Sequence, residues 1–310
     1  MLLVVCPNLA VDRILQVPDF EATRVQRSRS VFIQPGGKGS NVARVFRQLG
    51  GQVVLVGFVG TENGAWIVKT LRESAVYVDA VRAHGAASRT CTIICDPASG
   101  THPTVINEES PEIERGSAAK LLAKVEKWIP RVRAVLATGS LPRGLESDFY
   151  AQVLDRARSS GKLTAIDAAG RPLKEGLLAR PFFMKPNLEE FRQFAAGQTL
   201  CMLAPQTALT FGRAGAALIY DGHCVYARPP RVEQINPIGA GDAFAAGYLK
   251  CLLDRGRPED SLRWGVAAAA CDAATFRPGF IDPDSFRLML SMAYTKNGTG
   301  VPGMGFPVQG

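Results

Sequence analysis

Residues 236–242 read Asn-Pro-Ile-Gly-Ala-Gly-Asp, and a helical pattern begins directly behind them. The apolar side chains that follow recur along one helix face, at Phe244, Tyr248, Cys251 and Leu252. The glycine-rich turn is therefore predicted to lie at a helix N-terminus. There the backbone N–H groups lack partners within the helix, and the helix dipole attracts negative charge. The stretch predicts a helix whose beginning binds an anion.

The residues of this turn also predict a chemistry. Gly239, Ala240 and Gly241 form the predicted anion hole, because glycines let a backbone approach a ligand without interference from side chains. Asp242 follows in the first helical turn, at the same place. An anion hole beside a carboxylate base is suited to the transfer of a phosphoryl group to a hydroxyl.

Strands and helices alternate along most of the chain. Short apolar runs such as Leu2–Cys6 and Val53–Val59 predict buried strands, and Ser117–Trp128 has the spacing of a helix. Further strands are predicted at 132–138, 163–167, 182–184, 208–211 and 216–220, and further helices at 62–74, 147–159, 188–195, 262–276 and 283–293. This rhythm predicts an α/β fold with a doubly wound, mainly parallel sheet and helices on both faces.

Two segments, at about 13–34 and 84–107, interrupt the alternation with more polar, strand-like sequence. We predict that they form one small β-sheet that lies over the main domain as a lid. The chain 1–310 is then a single α/β domain with this lid inserted, and the Gly- and Pro-rich tail from residue 297 is irregular.

Composition narrows the range of partners. The formal charge is +8, but the basic residues are scattered, which suits anionic small molecules better than nucleic acid. The apolar runs are too short to span a membrane, and the N-terminus lacks the basic region of a signal peptide. Seven widely spaced cysteines do not form a disulfide framework, and we interpret Cys91 and Cys95 as buried thiols. These features predict a cytoplasmic protein without nucleic-acid or membrane partners.

Residues 36–41 leave two interpretations open. They do not form a Walker A loop, because Gly39 follows Lys38 where that loop has Ser or Thr. One interpretation is a tight turn before a helix. The other is a surface of Gly36 and Gly37 against which a sugar lies flat, with Asn41 bonding hydroxyls and Lys38 close to negative charge.

Three more polar positions have both a structural and a functional interpretation. Asp12 follows the first strand, where ligands gather in doubly wound sheets, or it is a solvated turn residue. Arg89 lies in the second lid segment, where a lone arginine is commonly solvated. Asn187 and Glu190 form a capping-box pattern, or they hold hydrated Mg²⁺ near phosphates.

Together these motifs resemble those of the ribokinase-like, or pfkB, carbohydrate kinases, from Val4 to about residue 290. Residues 36–44 resemble the first signature of that family, and residues 236–247 resemble the second, which is its most specific element. Lys185-Pro186-Asn187 with Glu190 is similar to its Asn-x-x-Glu motif, and residues 210–215 to its nucleotide-side Thr-Leu-Gly-x-x-Gly, with Phe for Leu.

Within the family the chain is most similar to the phosphosugar branch, of the 1-phosphofructokinase and tagatose-6-phosphate kinase type. The similarity is in residues 8–12, 88–90, 106–111 and 139–142. Leu9 and Ser110 depart from the Pro and Gly of that branch, which leaves the exact sugar open.

The resemblance implies an ATP-dependent kinase of a ketohexose phosphate, namely fructose 1-phosphate, tagatose 6-phosphate or fructose 6-phosphate. Asp242 would be the general base, and Gly239, Ala240 and Gly241 would stabilise the transferring phosphoryl group. The implied sugar site comprises Asp12, Gly36, Gly37, Lys38, Asn41 and Arg89, of which Lys38 and Arg89 hold the phosphate of the sugar. The implied nucleotide site comprises Lys185, Asn187, Thr210, Gly212 and Gly215, with Glu190 holding Mg²⁺ through water.

The resemblance also allows for a monovalent cation and implies a homodimer formed through the lid. Two alternatives stay open. A kinase of an unphosphorylated sugar or nucleoside would not require Arg89 and Lys38. A sugar-binding regulator without turnover would not require Asp242 and the anion hole.

Overall fold

The computed structural model describes residues 1–83, 85, 87–96, 102–194 and 203–298. Its strands are β1 (Leu2–Asn8), β2 (Ala10–Gln16), β3 (Ser30–Gly36), β4 (Val53–Gly60), β5 (Tyr77–Val78), β6 (Val81–Ala83), β7 (Thr90–Cys95), β8 (Thr104–Asn107), β9 (Ala134–Thr138), β10 (Leu163–Asp167), β11 (Phe183–Met184), β12 (Gln206–Thr210), β13 (Ala216–Tyr220), β14 (His223–Arg228) and β15 (Tyr294–Asn297). Its helices are α1 (Lys38–Gln48), α2 (Gly64–Glu73), α3 (Ser117–Trp128), α4 (Phe149–Ser159), α5 (Gly170–Leu178), α6 (Leu188–Phe194), α7 (Ala240–Leu253), α8 (Pro258–Ala273) and α9 (Pro283–Met292).

The main sheet has the order β15-β14-β13-β12-β11-β10-β9-β1-β4-β5, with β6 also paired to β4. Its pairs are parallel from β5 to β12, and β13, β14 and β15 extend it as an antiparallel edge. The predicted α/β class with a mainly parallel sheet is therefore confirmed.

Helices cover both faces of this sheet. Successive residues of β1 point to opposite faces, so Leu2 and Val4 belong to one core and Leu3 and Val5 to the other. The first core is covered by α1, α2, α7, α8 and α9, and the second by α3, α4 and α5. Because β1 is buried on both sides, it is a continuous apolar run, and each such side chain contributes about 1.5–3 kcal/mol on burial.

The small sheet predicted as a lid is present as a separate sheet in the order β3-β2-β7-β8. Its inner face, with Ile14, Ile93 and Cys95, packs against Ile238 and Phe276 of the main body. Its first strand begins at residue 10 rather than 13. Part of the second predicted segment (84, 86 and 97–101) and the tail beyond residue 298 lie outside the described residues. The division into one domain with an inserted lid stays a prediction.

The sequence interpretation did not include α5, β14 or β15. A recognisable signal was present for β14. Tyr220 pairs with His223 across a two-residue turn of Asp221 and Gly222, both with positive φ. Asp-Gly is typical of such hairpin turns. By contrast, β5 and β6 are strands of only two and three residues in the main sheet. Within the described residues, the helices are all too short or too polar to cross a membrane.

Candidate active site

The predicted anion hole lies where α7 begins. Gly239 precedes the helix with φ +93, a left-handed conformation that favours glycine. The Ala240 amide donates to the carbonyl of Pro237 (3.2 Å) and the Asp242 amide to that of Gly239 (2.9 Å). Among the described residues, the Gly241 amide has no backbone acceptor. This N–H is therefore available to an anionic ligand.

Asp242 is buried, with 6% of its surface exposed, and its Oδ2 accepts a hydrogen bond from Asn41 Nδ2 at 2.8 Å. Burial raises the pKa of its carboxyl to about 7. The charges of Lys38 and Lys185 and the hydrogen bond from Asn41 lower the pKa but do not outweigh burial. A carboxylate that titrates close to neutral pH is suited to accept a proton from a hydroxyl.

Two lysines lie beside the anion hole. Asp167, at the end of β10, pairs through Oδ1 with Lys38 Nζ (3.1 Å) and Lys185 Nζ (3.3 Å). Burial opposes the charge of Lys38, but nearby carboxylates more than compensate and raise its pKa, so it is cationic. A Cβ placed on Gly241 would lie 3.4 Å from Lys185 Nζ. The arrangement therefore places positive charge against the free amide of the turn.

Glu190 and Asn187 form the predicted capping box. Asn187 Oδ1 accepts from the Glu190 amide (2.8 Å), and Glu190 Oε2 accepts from the Asn187 amide (2.9 Å). The other carboxylate oxygen, Oε1, lies 3.9 Å from Lys38 Nζ, beside the anion hole. A single carboxylate oxygen fits Mg²⁺ that keeps most of its water. In the described part of the chain, three or more His, Cys, Asp or Glu side chains nowhere converge on a metal site.

The predicted nucleotide-side residues lie at the ends of neighbouring strands. Thr210 ends β12 and donates its amide to the carbonyl of Pro186 (3.1 Å), next to Asn187. Gly212 starts a 3₁₀ turn that leads to Gly215, which has φ +107. A Cβ on Gly215 would lie 2.1 Å from a carbonyl oxygen of β14, so only glycine fits.

Asp12 and the glycines of residues 36–37 are in contact. Asp12 is buried on β2, and a Cβ on Gly36 would lie 1.9 Å from its Oδ1. Gly37 has φ +86 and immediately precedes α1. Burial raises the pKa of Asp12 to about 6, while the charges of Arg44 and Arg89 lower it. The glycine at residue 36 thus makes room for this carboxylate.

Arg89 precedes β7 and is half-buried. Its Nε is buried and has no hydrogen-bond partner among the described residues. Its charge acts on Asp12, and it also acts on the thiol of Cys6, which Asp242 influences as well. The carbonyl of Arg89 accepts from the amide of Val11 at 2.9 Å, which places Arg89 beside the strand that carries Asp12. Lys38, the second cation predicted for the sugar phosphate, is paired here with Asp167.

Two buried charged residues of this region were not singled out from the sequence. Asp167 ends a parallel strand, so the rule that drew attention to Asp12 applies to it equally. Arg44 lies one helical turn after Asn41 and donates to its Oδ1 at 2.6 Å. A spacing of three residues on α1 was the available signal.

Asn8, at the end of β1, is a buried neutral side chain of the same region. Its Nδ2 donates to Ser110 Oγ (2.8 Å) and to Ser140 Oγ (2.9 Å). Ser110 is the position at which the chain departs from the Gly of the phosphosugar branch. Its hydroxyl therefore ties the segment after β8 to the main sheet.

Comparisons with known proteins show the family and the fold of the chain. A model described as the pfkB family of carbohydrate kinases matches residues 1–283. A structure from Thermotoga maritima described as a possible 1-phosphofructokinase has a TM-score of 0.85 and 21% identity, covering 96% of this chain and 99% of its own. Phosphofructokinase-2 from Escherichia coli in complex with potassium has a TM-score of 0.83 and 21% identity, covering 94% and 98%. The same enzyme in complex with fructose-6-phosphate has a TM-score of 0.82 and 22% identity, again covering 94% of this chain and 98% of its own. At these identities the likeness establishes the fold.

Proposed function

The chain belongs to the pfkB family of carbohydrate kinases, and on this basis we propose that it transfers a phosphoryl group from ATP to a ketohexose phosphate. Membership confirms the prediction of an ATP-dependent carbohydrate kinase. The proposal that the acceptor sugar already carries a phosphate rests on one observation. Arg89 is half-buried next to Asp12, and its Nε has no partner within the described residues. A buried N–H of a guanidinium that has no partner is costly unless a ligand such as phosphate accepts from it.

We propose that Asp242 is the general base of the reaction. It takes the proton of the acceptor hydroxyl as that oxygen attacks the γ-phosphorus. The new O–P bond forms, the bond to the bridging oxygen breaks, and ADP leaves. The Gly241 amide, which has no backbone acceptor among the described residues, and the nearby Lys185 ammonium would stabilise charge on the transferring group.

The remaining site residues have proposed binding roles. Asp12 and Asn41 would orient the hydroxyls of the sugar, against the surface of Gly36 and Gly37. Lys185, Asn187, Thr210, Gly212 and Gly215 would bind the nucleotide. Glu190 would hold Mg²⁺ through water, and the metal would neutralise phosphate charge. A monovalent cation and a role for Lys38 at the phosphate of the sugar stay predictions.

The acceptor is tested with Arg89→Ala and Arg89→Lys. We expect the alanine variant to raise the KM for the sugar phosphate about 10- to 150-fold, with the KM for ATP little changed, because a charge-assisted bond to phosphate is lost. The KM of Arg89→Lys should lie between those of wild type and Arg89→Ala, since lysine lacks the planar, two-point hydrogen-bonding geometry of arginine. Arg82→Ala is the matched control, because Arg82 is an exposed arginine of β6 in the main sheet, outside the small sheet.

The same assay, run over sugars with and without a phosphate, separates the alternatives. An unchanged KM for the sugar in Arg89→Ala, together with better turnover of an unphosphorylated sugar or nucleoside, would establish the neutral-acceptor kinase instead. Tight sugar binding without ADP release would identify a regulator that has lost turnover.

We also propose that the chain forms a homodimer through the lid. Val31, Ile33 and Ile106 of the small sheet are 42%, 50% and 58% exposed. Ile33 and Ile106 are both aligned with the same central strands, at Arg13 and Thr92, so they share the outer face. Such an apolar face favours association with a second copy.

A further inference from the structure

Arg44 is a buried cation that contacts its own helix and two other segments. Its Nη1 donates to the carbonyl of Pro35 (2.7 Å), and its Nη2 donates to the carbonyl of Pro278 (3.0 Å) and to Asn41 Oδ1 (2.6 Å). Burial lowers the pKa of Arg44 to about 10, which still leaves it charged at neutral pH. Its guanidinium is thus held beside Asn41.

Asn41 has two chemically different neighbours. Its Oδ1 accepts from Arg44, and its Nδ2 donates to Asp242 Oδ2. A guanidinium can only donate and an ionised carboxylate can only accept. A rotated amide would place its NH₂ against Arg44 and its oxygen against Asp242, with two repulsive contacts. The charge of Arg44 therefore selects one orientation of the amide.

We propose that Arg44 is a positioning residue for the kinase reaction, which fixes the amide of Asn41 so that its N–H bond points at the carboxylate of Asp242. The inference rests on the proposed role of Asp242 as general base. Arg44 itself does not contact the acceptor in this proposal. It acts through Asn41, which keeps the base ionised and oriented.

The loop that holds Arg44 from outside is itself fixed. Asp272 on α8 accepts through Oδ1 from the amides of Gly279 (2.7 Å) and Phe280 (3.1 Å). A Cβ on Gly279 would lie 2.9 Å from both Arg44 Nη2 and Asn41 Oδ1. The pair is therefore packed without spare room, and its orientation is set by α1, β3 and the segment after α8.

A change at Arg44 is expected to appear in the ionisation of Asp242. The charged or titratable groups around that carboxyl come from every packed element: Lys38 and Arg44 on α1, Asp167 on β10, Lys185 after β11, Asp272 on α8 and Cys6 on β1. All the others remain when Arg44 is replaced. Asn41 is then free to turn its oxygen toward Asp242, which favours the protonated acid.

The test compares Arg44→Met and Arg44→Lys with wild type in kcat between pH 5.5 and 9. Loss of a hydrogen bond to the charged form should move the acid limb of Arg44→Met upward by about one pH unit, and should lower kcat roughly tenfold below that limb. Lysine can still donate to Asn41, so the acid limb of Arg44→Lys should lie close to its wild-type pH. Arg47→Met on the same helix is the control, because Arg47 bonds the carbonyl of Gly51 instead.

Asn41→Ala is the second arm, since it removes the donor and keeps Arg44. Its acid limb must also rise, and adding Arg44→Met to it must shift the limb by less than Arg44→Met does alone, because only the direct action of the Arg44 charge on Asp242 is then lost. The inference would be overturned if the acid limb of kcat stayed at its wild-type pH in a folded Arg44→Met or in Asn41→Ala. A fall in kcat that is equal at every pH would overturn it as well. The carboxyl ¹³C titration of Asp242 needs no substrate. It therefore decides the inference even if the proposed sugar is not turned over.

Discussion

At the scale of single residues, the site depends on carboxylates that the fold keeps out of water. Asp242 and Asp12 are both buried, and burial raises the pKa of each above its ordinary value. The native state therefore favours the protonated form of Asp242 up to a pH of about 7. A buried carboxyl with a pKa near 7 lowers the free energy of unfolding whenever it is ionised.

This cost predicts two opposite effects of Asp242→Asn. We expect kcat to fall about 10²- to 10⁴-fold, the usual contribution of a positioned base. We also expect the variant to be more stable than wild type. Because the folded pKa of about 7 exceeds the ordinary 3.8, wild type loses stability as pH rises between these values. Urea unfolding should show the largest difference above pH 7, shrinking toward pH 4.

Asp155→Asn is the control, because Asp155 is exposed on α4. Near-normal turnover of Asp242→Asn with the natural acceptor would remove the base assignment. A stability difference that does not depend on pH would contradict the buried ionisation.

At the scale of elements, one carboxylate fastens α3 to the edge of the main sheet. Asp79, between β5 and β6, accepts from Lys127 Nζ (3.0 Å), from Trp128 Nε1 (2.8 Å) and from Lys124. Burial opposes the charge, but these three donors outweigh it and lower the pKa of Asp79 to about 2. The helix and the sheet edge are thus joined by an ionised group.

We predict that Asp79→Asn destabilises the protein by about 1–2 kcal/mol at pH 7, a value that allows for screening of the partly exposed lysines. A lowered folded pKa stabilises above the ordinary 3.8, and this contribution is lost as pH falls through about 2. The difference in the free energy of unfolding between Asp79→Asn and wild type, measured with urea, should therefore shrink below pH 3.8 and disappear by about pH 2.

Glu126→Gln is the comparison on the same helix, since Glu126 makes an exposed pair with Arg156. It should cost at most about 0.5 kcal/mol. Equal effects of the two substitutions would show that Asp79 contributes no more than a surface pair.

At the scale of the whole molecule, the small sheet has two apolar faces but only one is covered. The inner face packs on the main body, while Ile33 and its neighbours stay exposed. A second copy that covers the outer face would complete the burial.

We therefore predict that Ile33→Asp shifts the protein from dimer toward monomer in sedimentation velocity at micromolar concentration, because a buried unpaired carboxylate is unfavourable in an interface. Leu178→Asp is the control, because Leu178 is 75% exposed on α5, away from the small sheet. A wild-type protein that sediments as a monomer, or an equal shift in both variants, would contradict the proposed dimer.

The sequence by itself determined the features that depend on neighbouring residues. The start of α7 after Gly239, the capping box at Asn187 and the two-faced burial of β1 all follow from spacing and backbone preference over a few positions. The same local signals carried the family resemblance, and the family match confirms it.

Only the tertiary structure decided which charges meet. Lys38 pairs with Asp167 from 129 positions away, and Arg44 bonds the carbonyl of Pro278 from 234 positions away. Spacing along the chain contains no information on such contacts, because the order of strands in the sheet brings them together. Burial of Asp242 and its raised pKa arise in the same way, from groups on several elements that close around it.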